Sequence, residues 1–118
     1  MLPDKYRLTS SKEIKAALEQ RQYTSATPLF RLVASDNAAS QPRLAIVTPR
    51  KLGKAVRRNR MRRILRGAFL NICCKINKNI DCVLFPRALA AKSTSDLASA
   101  WLEKALLGLK LINNEAYS

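Results

Sequence analysis

The sequence predicts a fold of the α+β or α/β class, in which helices pack on one small sheet. A chain of 118 residues, 47% of them hydrophobic, fits one domain with a modest core. Segments with helical and strand-like apolar spacing also follow one another in the order helix, strands, helix, strand, helix. We therefore expect a single domain over residues 1–118, with irregular tails at 1–7 and 111–118.

The first half of the chain predicts one short helix and then strands. Ser10 or Ser11 is a candidate N-cap for an amphipathic helix over residues 11–20. Strand-forming runs follow at 23–26 (a weak signal), 28–35 and 43–49. The polar segment 36–42 predicts that the last two of these strands form an antiparallel hairpin.

The second half predicts two helices with a strand between them. The first helix runs from Lys54 or Ala55 to Cys74 or Lys75, with Gly67 in its interior at a cost of about 1 kcal/mol relative to Ala. A buried strand follows at 81–87, and a helix at 95–110 has Ser93 or Thr94 as its candidate N-cap. The apolar stripe of this last helix includes Trp101, which we interpret as a core residue in preference to a stacking platform for a base.

The composition argues against catalysis by protein side chains. The chain has no His, which excludes a Ser-His or Cys-His nucleophile, and its eight acidic residues show no pair at helical spacing that suggests a metal or acid/base site. We therefore predict no catalytic residues and no metal ligands. Cys73, Cys74 and Cys82 lack zinc-ligand spacing and are expected to be buried, reduced thiols. No apolar signal core or membrane span is present, so we expect a cytoplasmic protein.

The charge is concentrated in one predicted helix and the turn before it. The formal net charge is +14, and the segment 50–66 carries nine Lys and Arg and no acid. A step of 100° per residue predicts a buried face made of Met61, Ile64, Leu65 and Ala68. It predicts an outer face made of Asn59, Arg60, Arg62, Arg63 and Arg66. Arg57 and Arg58 fall at the borders between the two faces.

A basic face without interleaved acids predicts a polyanionic partner. Arg outnumbers Lys in the helix, and its planar guanidinium suits phosphates and bases. A membrane-surface helix would need its apolar residues exposed, whereas here they are needed for the core. Nucleic acid is therefore the preferred partner. The alternatives are a binding module that only neutralises phosphates and a membrane-active cationic protein.

The basic segment resembles the signature of the protein component of bacterial ribonuclease P. The matching residues are Arg50, Lys51, Gly53, Lys54, Ala55, Val56, Arg58, Asn59, Arg60, Arg62 and Arg63. The segment "LTSSKEIKAAL" is similar to the opening helix of that family, and "DCVLFPRA" is similar to its later strand. The resemblance covers roughly residues 6–110.

This resemblance implies a fold and a function. The family has a four-stranded sheet with three helices, an α/β two-layer sandwich (α+β) like domain 2 of ribosomal protein S5, with a left-handed crossover. The implied partners are the catalytic RNA of ribonuclease P and precursor tRNA, from which the holoenzyme removes the 5′ leader. The RNA performs the hydrolysis with Mg²⁺, which it mainly holds itself. The protein is expected to be a monomer that joins one RNA.

The resemblance also implies two groups of site residues. The residues that would bind the catalytic RNA are Arg50, Lys51, Lys54, Arg57, Arg58, Asn59, Arg60, Arg62, Arg63 and Arg66. The residues that would bind the single-stranded leader are Ile14, Lys15, Leu18, Phe30 and Arg31. The family often has Phe where Ile14 and Leu18 stand, so Phe30 is the best local candidate for base stacking, although a strand residue of this kind is more often in the core.

Overall fold

The computed structural model describes residues 6–8 and 10–112. Within these ranges the helices are α1 (Ser11–Glu19), α2 (Ala55–Ile72) and α3 (Ser95–Gly108). The strands are β1 (Tyr23–Ala26), β2 (Phe30–Asp36), β3 (Arg43–Ile46) and β4 (Ile80–Pro86). Short 3₁₀ turns lie at Arg50–Leu52, Cys73–Lys75 and Ala88–Lys92. The predicted set of three helices and a four-stranded sheet, an α+β sandwich, is confirmed.

The predicted hairpin between the second and third strands is wrong. The strand order is β1-β2-β4-β3, so β4 lies between β2 and β3 and pairs with both. The β1–β2 and β2–β4 pairs are antiparallel, whereas β3 and β4 are parallel and are connected through α2. The physical reason is burial: β4 is buried along almost its whole length, which suits a central strand. The hand of the β3–α2–β4 crossover stays a prediction.

The two faces of the sheet are covered by different helices. Side chains at alternate positions of β2, including Phe30 and Leu32, join the main core under α2 and α3. The opposite face carries a smaller cluster, in which Ala45 and Val83 of the sheet pack against Ala17 of α1. Because α1 has only nine residues, it covers this second face incompletely, and a cleft remains beside it.

The helix starts follow ordinary capping chemistry, with one exception. Ser10 Oγ accepts a hydrogen bond from the Glu13 amide at 3.4 Å, and Thr94 Oγ1 accepts one from the Leu97 amide at 3.2 Å. In the described part of the chain, α2 has no such side-chain cap, and Lys54 occupies its N-cap position.

The tails are shorter than predicted. Leu111 and Ile112 are buried, and Ile112 forms an antiparallel bridge with Ile76. At the other end Arg7 forms a parallel bridge with Leu44. These positions are therefore tied to the sheet and the core. The rest of both predicted tails, residues 1–5 and 113–118, lies outside the described residues.

The cysteines are free thiols in two environments. Cys73 and Cys82 are buried as predicted, and desolvation raises the pKa of Cys82 to about 12. The prediction was wrong for Cys74, which is exposed. The reason is local: α2 ends at Ile72, and the 3₁₀ turn that follows rotates the next side chains differently. Trp101 is partly buried and packs against the main core.

Candidate nucleic-acid interface

The start of α2 is a strongly electropositive point of the molecule. The first turn of α2 contains no acidic residue, so nothing in it compensates the positive end of the helix dipole. Arg50 and Lys51 lie in the 3₁₀ turn directly before it, and both are exposed. Gly53 makes this arrangement possible, with φ of 125°, and a Cβ there would meet Arg57 Cδ at 2.8 Å. Backbone and side chains thus present positive charge together.

The predicted buried face of α2 is confirmed. Met61, Leu65 and Ala68 have no exposed surface, and Ile64 is 8% exposed. Phe69 and Ile72 continue the same stripe towards the end of the helix. Burial of this stripe fixes the rotation of α2, and the polar residues are consequently held outside the core.

The arginines of α2 divide between two flanks of the helix. On the flank next to the 3₁₀ turn Ala88–Lys92, Arg57 Nη2 donates to the Ala88 carbonyl at 3.3 Å. Arg60 Nε donates to the Ala91 carbonyl at 2.7 Å on the same flank. We predicted Arg60 for the outer face; it is exposed, but its contact is on this flank.

The opposite flank carries Arg58, Asn59, Arg62 and Arg66. Arg58 Nε donates to the Gly53 carbonyl at 3.2 Å, across the start of the helix. Asn59 Oδ1 accepts a 2.7 Å hydrogen bond from Arg62 Nη1, which orients that guanidinium. Arg63 is exposed between the two flanks. The basic surface therefore extends over both flanks, and the border residues Arg57 and Arg58 belong to different ones.

A cleft of about 280 Å³ separates α2 from α1 and the edge strand β3. Arg62 and Arg66 form one side of it, Ile14 another, and Leu44 is among the β3 residues that line it. Burial lowers the pKa of Arg66, and the nearby charges of Arg62 and Arg7 lower it further. The positive charges of Arg62 and Arg66 therefore repel each other in this cleft, and a bound anion would reduce that repulsion.

The predicted leader residues are on both faces of the sheet. Ile14 and Leu18 of α1 are partly buried, while Lys15 and Arg31 are exposed. Phe30 is fully buried in the main core, so its prediction as a stacking residue was wrong. The alternation of β2 explains this result, because Phe30 shares a face with Leu32, under α2 and α3.

Sequence reasoning missed Phe85. This ring is partly buried on the α1 face of the central strand β4, with Val83 in the same cluster. Phe85 pairs with Arg31 of β2 in the antiparallel register, so the aromatic ring and the guanidinium belong to neighbouring residues on adjacent strands. The available signal was the period of two in β4, which places Val83 and Phe85 on one face.

The surroundings of the interface hold little acid. Asp81 of β4 and Glu13 of α1 are both paired with Arg43. Among residues 6–8 and 10–112, no group of three or more His, Cys, Asp or Glu is placed to hold a metal ion. No helix in this part of the chain has the length and apolar character needed to cross a bilayer. The arrangement is chemically suited to contact phosphates and bases.

Known proteins share both the sequence pattern and the fold. The family model for ribonuclease P matches residues 2–110. The ribonuclease P protein component of Vibrio vulnificus is 36% identical over 86 residues, which is 72% of this chain and 69% of that one. The corresponding protein of Syntrophomonas wolfei is 32% identical over 94 residues, covering 80% and 78% of the two chains.

Two solved structures extend the similarity to three dimensions. The Staphylococcus aureus RNase P protein superposes with a TM-score of 0.76 at 26% identity, over 92% of this chain and 98% of that one. The Thermotoga maritima RNase P protein gives 0.68 at 27% identity, over 87% and 93%. With the family model spanning nearly the whole chain, the protein belongs to the family of ribonuclease P protein components.

Proposed function

We propose that this protein binds the catalytic RNA of ribonuclease P through α2 and holds the single-stranded 5′ leader of precursor tRNA between α1 and the sheet. The observation that carries the proposal is the basic surface on both flanks of a helix whose third face is buried. A surface of this kind gains affinity by releasing counterions from RNA phosphates.

The contacts of the arginines support recognition beyond charge neutralisation. Arg60 and Arg62 are each oriented by an acceptor within the protein, the Ala91 carbonyl and the Asn59 amide oxygen. Each guanidinium keeps further N–H donors that are free to contact a phosphate. Side chains held in this way lose less conformational entropy on binding RNA than freely rotating ones.

The proposed leader site is the face of the sheet beside α1, which adjoins the cleft lined by Ile14, Arg62 and Arg66. Ile14 and Leu18 form its apolar wall, with Lys15 exposed beside them on α1. Phe85 supplies an aromatic face on its floor, and Arg31 supplies a cation at the paired position. An aromatic ring next to a guanidinium suits an unpaired base and its phosphate, without requiring a particular sequence.

In this proposal the protein assists a reaction that the RNA performs. The catalytic RNA and the Mg²⁺ that it mainly holds supply the hydrolytic chemistry, and the protein contributes no catalytic residue. Positive charge at the RNA surface lowers the repulsion between RNA and precursor tRNA, which Mg²⁺ alone must otherwise screen. A monomer that joins one RNA in the cytoplasm is the form that we propose.

The direct test is reconstitution. The purified protein is added to the catalytic RNA and a precursor tRNA at low Mg²⁺, and release of the leader is followed. We expect strong stimulation by the protein. Absence of stimulation would refute the proposal, and unselective binding to every RNA tested would favour the phosphate-neutralising module. Binding to liposomes at physiological salt would support the membrane-active alternative.

A further inference from the structure

One guanidinium connects α1 to the centre of the sheet. Arg43, at the start of the edge strand β3, donates from Nε to Asp81 Oδ1 at 2.8 Å and from Nη2 to Asp81 Oδ2 at 3.0 Å. Its third nitrogen, Nη1, lies 2.9 Å from Glu13 Oε2 on α1. Asn37 Nδ2 also donates to Asp81 Oδ1, at 2.7 Å. Each of the three guanidinium nitrogens of Arg43 therefore contacts an acid, and the two acids lie on different elements.

This ion pair is one of the contacts that hold α1 in position. The helix has nine residues, and Ala17 is its one fully buried side chain among those described. A helix this short is not stable by itself, so tertiary contacts must hold it in place. Its packing contacts are supplied by Ile14, Ala17 and Leu18, and Arg43 supplies the ion pair that reaches it from the sheet.

We infer that Arg43 is a positioning residue for the leader site: it sets the distance between the α1 wall and the β4 floor without contacting the leader. The inference rests on the proposed function, since it assigns a role within the leader site. Ile14 is the next residue after Glu13, and Phe85 lies on the same strand face as Asp81. One side chain thus anchors both elements that form the site.

The chemistry of Arg suits this role, whereas Lys would not fill it. The planar fork of Arg binds both oxygens of Asp81 and still presents a nitrogen to Glu13. A Lys ammonium is a single point charge and cannot hold both carboxylates in this geometry. The two acids are also neutralised in the process, which removes negative charge that would repel the phosphates of a leader.

The test measures how much the leader adds to affinity. Holoenzyme reconstituted with each variant is titrated with precursor tRNA carrying a short leader and with mature tRNA lacking one. The leader ratio is the Kd of mature tRNA divided by the Kd of precursor tRNA, and it is compared with the ratio of the parent. Glu13→Ala removes the link to α1, together with the acid in the first turn of that helix, and leaves the Arg43–Asp81 pair intact, so the protein remains folded. Arg43→Met and Arg43→Lys remove the shared fork. Lys75→Met is the matched control, because it breaks the 3.3 Å ion pair between Lys75 and Glu103, which does not involve α1.

We expect the leader ratio to fall about fivefold in Glu13→Ala, the upper range for one exposed ion pair. It should fall by about tenfold or more in Arg43→Met, because misplacing binding groups is costly. Arg43→Lys should lower the leader ratio as much as Arg43→Met. In both Arg43 variants, KM for the leader-bearing substrate should rise at unchanged kcat. Lys75→Met should have the leader ratio of the parent.

A ratio within about twofold of the parent in Glu13→Ala and Arg43→Met would overturn the inference, as would full rescue by Arg43→Lys or an equal loss in Lys75→Met. A parent holoenzyme that shows no leader dependence would instead refute the proposed leader site itself.

Discussion

Removal of one positive charge from the cleft should make the free protein more stable. Arg66 is partly buried in the cleft, lies one helical turn after Arg62, and has its pKa lowered by burial and by the charges of Arg62 and Arg7. Arg66→Met removes the charge and keeps a long apolar side chain. Like charges at i, i+4 destabilise a helix by about 0.2–0.5 kcal/mol. We therefore expect the free energy of unfolding to rise by about 0.5 kcal/mol at low salt.

The assay is thermal unfolding followed by circular dichroism at low ionic strength, with and without sulfate. A gain of this size corresponds to a rise in Tm of roughly 2 °C for a domain of this length. Sulfate should stabilise the parent more than the variant and reduce the difference, because an anion compensates the repulsion that the variant lacks. Arg21→Met is the matched control: Arg21 is exposed, and no ion pair involving it is present in the described part of the chain.

The same variant should bind the catalytic RNA more weakly. A change that stabilises a protein while reducing its function is typical of a binding site whose charges are held together at a cost. Two results would contradict the repulsion that we describe in this cleft. One is a lower Tm for Arg66→Met than for Arg21→Met, and the other is an equal rise in Tm on adding sulfate for the parent and for Arg66→Met.

Three further predictions concern other parts of the molecule. Met61→Ala should lower the free energy of unfolding by roughly 2–5 kcal/mol in urea titrations, because Met61 is fully buried. Leu70→Ala, on the exposed side of α2, should lower it by under about 1 kcal/mol. Equal losses in the two variants would mean that the helix is rotated. Gly67→Ala should cost about 1 kcal/mol despite the higher helix propensity of Ala, because its Cβ would meet Ser95 Oγ at 2.6 Å. Much of that loss should disappear in a Ser95→Ala background, and a stabilised single variant would contradict the close approach. Phe85→Ala should weaken binding of leader-bearing precursor tRNA by about 1–3 kcal/mol and leave leaderless tRNA unaffected; an equal effect on both would exclude a stacking role.

The buried face of α2 was predictable because helical periodicity is a local property. Met61, Ile64, Leu65 and Ala68 recur at helical spacing, and the structure buries all four. The division of the arginines between two flanks was only partly predictable. The contact of Arg60 with Ala91 depends on where a distant turn packs, and no pattern within α2 contains that information.

The strand order, and the face of the sheet on which α1 packs near Phe85, were not predictable from local patterns. Alternation showed which residues of β2 and β4 share a face, but the choice of face for α1 depends on how the sheet assembles. Phe30 was therefore assigned to the leader site, and Phe85 was missed. The hairpin prediction failed for a related reason, since β4 enters the sheet between two strands that precede it in sequence.

The salt dependence of binding to the catalytic RNA tests the central claim most directly. Affinity is measured over a range of salt concentrations for the parent and for a variant with Arg62, Arg63 and Arg66 all replaced by Ala. If these side chains contact phosphates, the slope of log K against log salt should become shallower by about two to three units. A variant whose slope equals that of the parent would contradict the assignment of this surface of α2 to RNA.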